Sequence, residues 1–145
     1  MRFQPRFDGY VERVHQALRD QPFISSVLGA HATLVEAGHV VIEMPLRADL
    51  LQPQGQVHGT VATALADSAA GYAAETLVAI DQHIVTVEYK VNFLAPGVGE
   101  RLRASGRVLR AGRTLSVCEA DVYAEGEGEG RHILHMVTTM MAVGA

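Results

Sequence analysis

The alternation of apolar and polar residues predicts one short helix and two strands near the start of the chain. In residues 9–20 the apolar positions recur at helical spacing, which predicts a short amphipathic helix. Residues 26–34 and 39–46 show an extended pattern, and Gly38 predicts the hairpin turn between them. The first two strands of a sheet are therefore expected directly after an N-terminal helix.

The segment from residue 55 to about residue 78 predicts the longest helix, because it has no proline and is rich in alanine. Four further extended segments follow, at residues 83–93, 100–110, 114–125 and 131–143. Six strands and one long apolar helix predict an α+β fold in which an antiparallel six-stranded sheet wraps around a central helix.

The composition favours a single domain over residues 1–145, with residues 1–25 as an N-terminal helical extension. One cysteine excludes an internal disulfide framework and fits a reducing compartment. The net charge of −4 gives no global attraction to nucleic acid. No segment has the apolar pattern of a signal peptide or a membrane span. We therefore expect a cytoplasmic protein with neither nucleic acid nor membrane as a partner.

Asp67 is an acid in the middle of the long apolar helix, and this position demands an explanation. An ionised carboxylate is costly to bury unless it is paired or hydrogen-bonded. Thr60 and Thr63 precede it by seven and four positions, so they form a polar stripe on its face of the helix. Asp67 either caps a helix break or meets a buried arginine, or it is a general base or nucleophile in a cleft.

The start of the same helix, at His58 and Gly59, predicts a second half of such a site. Backbone N–H groups in a first helical turn have no internal partner and can hold a developing oxyanion, although a lone histidine is more often structural. His58 and Asp67 are nine residues apart, which puts them on opposite faces and separates them by about 13 Å along the axis. A shared site therefore predicts a two-fold dimer with two equivalent sites at its interface.

The sequence LLQPQGQVHGTVATALADSAAG, followed by YKVNFLAPG and GRTL, resembles the hot-dog-fold acyl-CoA thioesterases, in particular the phenylacetyl-CoA thioesterase-like group. The resemblance covers about residues 28–143. It implies the hot-dog fold and hydrolysis of an acyl-CoA to a free acid and coenzyme A. It also implies a homodimer that pairs into a homotetramer. Coenzyme A is then part of the substrate, and no separate cofactor is expected.

The resemblance also implies a role for each residue of the site. Asp67 attacks the thioester or activates a water molecule, and the Gly59 N–H polarises the thioester carbonyl across the dimer interface. His58 shapes the turn, the amide of Gln52 helps to place the water or the carbonyl, and Thr86 assists the acid.

Two positions depart from what the resemblance requires. The usual His-Gly-Gly is HGT here, so Thr60 stands where a glycine is common and either narrows the pocket or adds a hydroxyl to it. Strict alternation places Thr86 on the polar face of its strand with Glu88 and Lys90. Thr86 can therefore assist Asp67 only if the strand has a bulge or the site lies at the sheet edge.

Five arginines in residues 101–113 are compatible with a solvated strand face or with a phosphate site. Arginine suits phosphate because its guanidinium presents a fork of donors. The resemblance favours binding of coenzyme A by the hairpin at Arg110, Gly112 and Arg113.

Three further residues are predicted to be structural. Cys118 stands beside acids that would raise the pKa of its thiol, so it is expected to be unreactive. His132 and His135 lack a cysteine or carboxylate pattern, so they are interpreted as strand residues and no metal site is predicted.

Two alternatives to a thioesterase stay open. One is a hot-dog hydratase or dehydratase that acts on the same acyl-CoA class. The other is an acyl-CoA-binding sensor or regulator, for which an added DNA-binding segment would be the indication. Residues 1–25 offer one short helix, which is too little for a helix-turn-helix. Aromatic, medium-chain and branched acyl groups are all compatible with the sequence.

Overall fold

The computed structural model describes residues 3–144, which form a six-stranded antiparallel sheet with one long helix against it. The helices are α1 (Tyr10–Arg19) and α2 (Gly59–Glu75), and the strands are β1 (His31–Glu36), β2 (His39–Pro45), β3 (Gln82–Phe93), β4 (Arg101–Ala111), β5 (Leu115–Glu125) and β6 (Arg131–Gly144). The strand order is β1-β2-β4-β5-β6-β3. The predicted domain also includes residues 1, 2 and 145, which lie outside the described residues.

Small residues allow α2 to lie close against the sheet. The face of α2 that is buried against the strands consists largely of alanines, namely Ala62, Ala66, Ala69, Ala70 and Ala73. A Cβ atom at Gly106 of β4 would lie 2.3 Å from the backbone of Ala69, so only glycine permits this approach. The predicted α+β hot-dog architecture, with a sheet around a central helix and a short N-terminal helix, is confirmed.

Two predicted element boundaries are wrong. The first strand was expected from residue 26, but Phe23–Val27 forms a helical turn in which the Leu28 N–H donates to the Phe23 carbonyl at 3.0 Å. The long helix was expected from residue 55, but it begins at Gly59. Gly55 has a φ of +85°, which is incompatible with a right-handed helix.

The helix α2 is not buried on every side, although its composition suggests that it should be. A stripe of small and polar residues along one side is partly or fully exposed, and it comprises Thr60, Thr63, Ala64, Asp67, Ser68 and Gly71. These positions follow the spacing of one helix face. Asp67 therefore lies at the boundary between the sheet and an open surface.

The strand β3 forms one edge of the sheet and pairs only with β6. Several of its large apolar side chains are exposed, namely Val85, Val87, Tyr89 and Phe93. A long apolar edge strand offers unpaired backbone groups to another chain, so it is uncommon on an isolated molecule. This edge is a candidate surface for self-association.

None of the helices in residues 3–144 has the length and apolar character that crossing a membrane requires.

Candidate active site

The carboxylate of Asp67 meets Thr86 of β3 at the open side of α2. The Thr86 hydroxyl donates a hydrogen bond to Asp67 Oδ1 at 2.8 Å. Burial raises the pKa of Asp67 above its ordinary value, and the hydrogen bond from Thr86 only partly offsets this effect. Within residues 3–144, Asp67 forms no ion pair. A carboxylate in this setting is suited to act as a base or nucleophile.

The other acid of α2, Glu75, has the structural role that was considered for Asp67. Its carboxylate forms an ion pair with Arg13 of α1 at 2.6 Å and accepts the Ile84 N–H at 2.9 Å. Arg13 also donates to the Ala79 carbonyl at 2.8 Å. A partly buried arginine thus meets Glu75 and fixes α1 to the end of α2, whereas Asp67 has no such partner among the described residues.

Thr86 reaches Asp67 because β3 contains a bulge directly after it. Thr86 pairs with Met140, but Glu88 pairs with Thr139, so Val87 is the extra residue. The expectation that Thr86 shares the polar face with Glu88 is therefore wrong, since the bulge breaks the alternation. The contact was predicted to need a bulge or an edge strand, and β3 has both.

At the start of α2, the ring of His58 folds over the first turn. Its Nδ1 accepts the Thr60 N–H at 3.2 Å and lies 2.5 Å from the Thr60 hydroxyl. Nδ1 is thus in contact with two polar groups of Thr60, its N–H and its hydroxyl. The hydroxyl that Thr60 adds to the usual glycine position is therefore used to hold His58.

These contacts leave the Gly59 N–H available for a ligand. The Val61 N–H donates to the His58 carbonyl at 3.0 Å, and His58 Nδ1 accepts the Thr60 N–H. For the Gly59 N–H, the described residues provide no acceptor. An unpaired N–H at a helix start can stabilise negative charge on an oxygen.

His58, Gly59 and Asp67 line one open groove of about 480 Å³. The expectation that His58 and Asp67 lie on opposite faces is therefore wrong. His58 precedes the first helical residue and has an extended backbone, so helical spacing does not apply to it. The rise from Gly59 to Asp67 is still about 12 Å, so one chain holds the two groups at opposite ends of the groove.

Gln52 lies in a neighbouring cavity of about 420 Å³, which shares Gly59 and Phe93 with the groove. The Phe93 ring stands against the first residue of α2, because a Cβ atom at Gly59 would lie 2.9 Å from Phe93 Cε1. The structure thus brings Gln52 near Gly59 but not to Asp67 of the same chain.

The hairpin after β4 lies away from the groove of its own chain. Gly112 and Arg113 line a depression of about 180 Å³ that also includes Leu77 and Val78, just after α2. Three of the four arginines within β4, namely Arg101, Arg103 and Arg107, form ion pairs with carboxylates of β5, as a strand-face interpretation requires. Arg110 and Arg113 form no ion pair with any described residue.

A carboxylate that the sequence pattern did not indicate lies between His132 and His135. Oδ1 of Asp121, on the neighbouring strand β5, lies 2.7 Å from His132 Nε2 and 2.7 Å from His135 Nδ1. Burial raises the pKa of Asp121, but the hydrogen bonds from His135 and His132 outweigh this effect and lower it. Asp121 lies on β5 and the two histidines lie on β6, so the three side chains meet only across a strand pair. Spacing along the chain therefore could not reveal the cluster.

Cys118 is buried on the face of β5 that lies towards α2. Burial raises the pKa of its thiol to about 12. The predicted raised pKa is confirmed, although its cause is burial rather than the neighbouring acids. Such a thiol stays protonated at neutral pH and is a poor nucleophile.

Comparison with known proteins gives one consistent family. A family model described as the thioesterase superfamily matches residues 54–131. The proofreading thioesterase EntH of Klebsiella pneumoniae is 33% identical over 98 residues, which are 68% of this chain and 72% of that protein. The 1,4-dihydroxy-2-naphthoyl-CoA hydrolase of Listeria monocytogenes is 26% identical over 104 residues, which are 72% and 85% of the two chains.

The crystal structure of a thioesterase family protein from Silicibacter pomeroyi superposes with a TM-score of 0.91 and 39% identity. The match covers 94% of this chain and 100% of that chain. It thus extends the similarity well beyond residues 54–131. From the family model and these relatives together, the chain belongs to the thioesterase superfamily and is a thioester hydrolase.

Proposed function

We propose that this protein hydrolyses an acyl-CoA thioester to a free acid and coenzyme A, in a site built by two protomers. The observation that carries the proposal is the pair of groups on one groove: the Asp67 carboxylate, with its raised pKa, and the unpaired Gly59 N–H. A CoA thioester is the substrate named for the Listeria monocytogenes relative, which supports the acyl-CoA class.

The two groups divide the chemistry between them. The Asp67 carboxylate attacks the thioester carbonyl or removes a proton from the water that does so. The Gly59 N–H, at the positive end of the α2 dipole, binds the carbonyl oxygen as it becomes negative. The C–S bond then breaks, and coenzyme A leaves as a thiolate that needs no strong acid. If Asp67 attacks directly, an acyl-Asp67 anhydride forms and water then hydrolyses it, which restores the carboxylate. In both routes water supplies the hydroxyl of the acid and the proton of the thiol.

The separation of these groups along α2 favours a site at a two-fold interface. About 12 Å of helix lies between Gly59 and Asp67, which is too far for both to contact one carbonyl group. A two-fold axis beside the exposed edge β3 would place Gly59 of one protomer opposite Asp67 of the other. In this arrangement Gln52 and His58 approach the carbonyl together with Gly59, and Thr86 approaches it with Asp67.

The hairpin with Arg110, Gly112 and Arg113 supplies the phosphate contacts of coenzyme A in this proposal. Its two arginines are exposed and form no ion pair within residues 3–144, whereas Arg101, Arg103 and Arg107 are paired. Uncommitted guanidinium groups can bind phosphate bidentately.

The test is release of free thiol from a panel of aromatic, medium-chain and branched acyl-CoAs. We expect turnover of at least one acyl-CoA of this panel, and detection of free coenzyme A with a thiol reagent measures it. Loss of the conjugated absorbance of an enoyl-CoA without free thiol would instead indicate a hydratase. Binding of acyl-CoA without any thiol release would indicate a sensor.

Replacement of Thr86 by alanine is expected to move the acid limb of the pH–rate profile to higher pH. Asp67 must be ionised to act, and its pKa already lies above the ordinary 3.8. A hydrogen bond to a charged group favours its ionised form, so loss of the Thr86 hydroxyl should raise the pKa of Asp67 further. The rate of Thr86→Ala should therefore fall below that of the wild type at low pH before it does so at neutral pH.

Thr86→Ser is the matched control, since serine retains the hydroxyl that donates to Asp67 Oδ1. Its profile should overlay that of the wild type. An unshifted acid limb in Thr86→Ala would show that Thr86 does not stabilise the ionised Asp67.

A further inference from the structure

We propose that Asp121, His132 and His135 bind one divalent transition-metal ion on the sheet face opposite α2. One atom from each side chain is available, and these three atoms lie within 4.8 Å of one another. The neighbours of Asp121 along β5, Ala120 and Val122, are fully buried on the other face, towards α2. The proposed site is therefore separate from the groove and independent of the proposed function.

A bulge in β6 brings the two histidines together. Residues three positions apart in a regular strand point to opposite faces. Here Val122 pairs with Leu134 and Tyr123 pairs with His132, so Ile133 is the extra residue. Ile133 and Leu134 are both buried, and the partly exposed His132 and His135 share the outer face. The interruption of the ladder thus gives one carboxylate two imidazole neighbours.

The carboxylate is held in an orientation that suits a ligand. Asp121 is 8% exposed, and its Oδ2 accepts from Arg107 at 3.2 Å. Oδ1 is thereby directed to the two imidazoles. A carboxylate that binds a metal ion is usually held by a hydrogen bond from a neighbouring group, and Arg107 donates that bond here. Arg107 also donates to Glu119, at 3.1 Å, so its guanidinium bridges two carboxylates of β5 and holds Asp121 in place.

The ring of His132 is also fixed in place. It stacks on Tyr123 with 4.8 Å between ring centroids, and the guanidinium of Arg103 lies 4.9 Å from the centroid of Tyr123 on β5. A ligand that is already oriented loses little freedom when it binds a metal ion.

Two imidazole nitrogens and one carboxylate oxygen favour zinc and its neighbours over magnesium or calcium, which prefer oxygen ligands. Around a zinc ion, ligand atoms at about 2.0–2.1 Å would be about 3.3 Å apart. The two contacts of 2.7 Å would open to admit the ion, and the two imidazole nitrogens, which lie within 4.8 Å of each other, would adopt the same spacing. The ring protons would move to His132 Nδ1 and His135 Nε2, and water would complete the tetrahedron.

The experiment is calorimetric titration of tag-free, chelator-treated protein with Zn²⁺. We expect one ion per chain, and at least about tenfold weaker binding in His132→Ala and in His135→Ala. His31→Ala is the matched control, because His31 is an exposed strand histidine outside the cluster, and its affinity should equal that of the wild type. The thermal midpoint should rise with Zn²⁺ in the wild type and in His31→Ala but not in the cluster variants.

Absence of Zn²⁺ binding to the wild type would overturn the proposal, and so would equal affinity in the wild type and both cluster variants. Because His132 and His135 are partly exposed, their alanine variants should fold, and circular dichroism confirms this before titration. The assay does not use thioester hydrolysis, so its outcome is independent of the activity test.

Discussion

Asp67→Asn is expected to lower kcat by about 10²–10⁴ without loss of the fold. Asparagine has nearly the same shape, and its carbonyl oxygen can still accept the hydrogen bond from Thr86. It cannot act as a base or as a carboxylate nucleophile. Thiol release under saturating acyl-CoA measures the change.

The same variant should be at least as stable as the wild type at neutral pH. Burial raises the folded-state pKa of Asp67, so the ionised form is destabilising, and this effect is present above the folded-state pKa. As the pH falls below the ordinary value of 3.8, Asp67 is protonated in both states and the difference should vanish. Thermal unfolding at several pH values tests this sign.

Asp81→Asn is the matched control, because it removes the same charge from an exposed position in the turn before β3. It should leave kcat unchanged. If Asp67→Asn keeps the wild-type kcat, Asp67 is not the reacting carboxylate. If it loses activity and also unfolds at a lower temperature, the loss cannot be assigned to chemistry alone, and Asp67 would then be a structural residue.

Local pattern and composition were sufficient to predict the elements but not the contacts that depend on an irregular residue. The strands were predicted from their extended apolar pattern, and α2 from its alanine content and its lack of proline. The contact between Thr86 and Asp67 depends on one extra residue, Val87, and the cluster at His132 depends on another, Ile133. Beyond a bulge, each side chain points to the opposite sheet face from the one that strict alternation predicts. The periodic pattern does not indicate where a bulge occurs.

The start of α2 is a second place where the sequence pattern did not predict the direction of a side chain. Helical spacing placed His58 and Asp67 on opposite faces, because His58 was counted as a helical residue. It is the residue before the helix, and its ring direction is set by the bonds to Thr60. The sequence could indicate candidate residues for the site, whereas the directions of their side chains required the backbone.

Gly59→Pro is expected to lower kcat by about 10²–10³ relative to Gly59→Ala, because it deletes the N–H that would bind the oxyanion. Proline is favoured as the first residue of a helix, and the preceding His58 already has the extended backbone that proline requires, with ψ at 133°. Since this N–H has no acceptor among the described residues, its loss breaks no internal hydrogen bond that they provide. The helix should therefore be retained.

Gly59→Ala is the control because both variants add the Cβ atom that approaches Phe93. The displacement of the ring is thus common to the pair, and the ratio of their kcat values reports the N–H. Equal kcat values for the two variants would exclude the Gly59 N–H from the reaction.

Mixed dimers can then show whether one chain or two build each site. A hybrid of an Asp67→Asn protomer and a Gly59→Pro protomer would contain one site with both wild-type groups, if those groups come from different protomers. Random mixing of equal amounts should then restore about a quarter of the wild-type activity. If each site lay within one chain, every site in the mixture would be defective, and activity would stay at the level of the single variants. Recovery therefore requires that Gly59 of one protomer and Asp67 of its partner act on the same thioester.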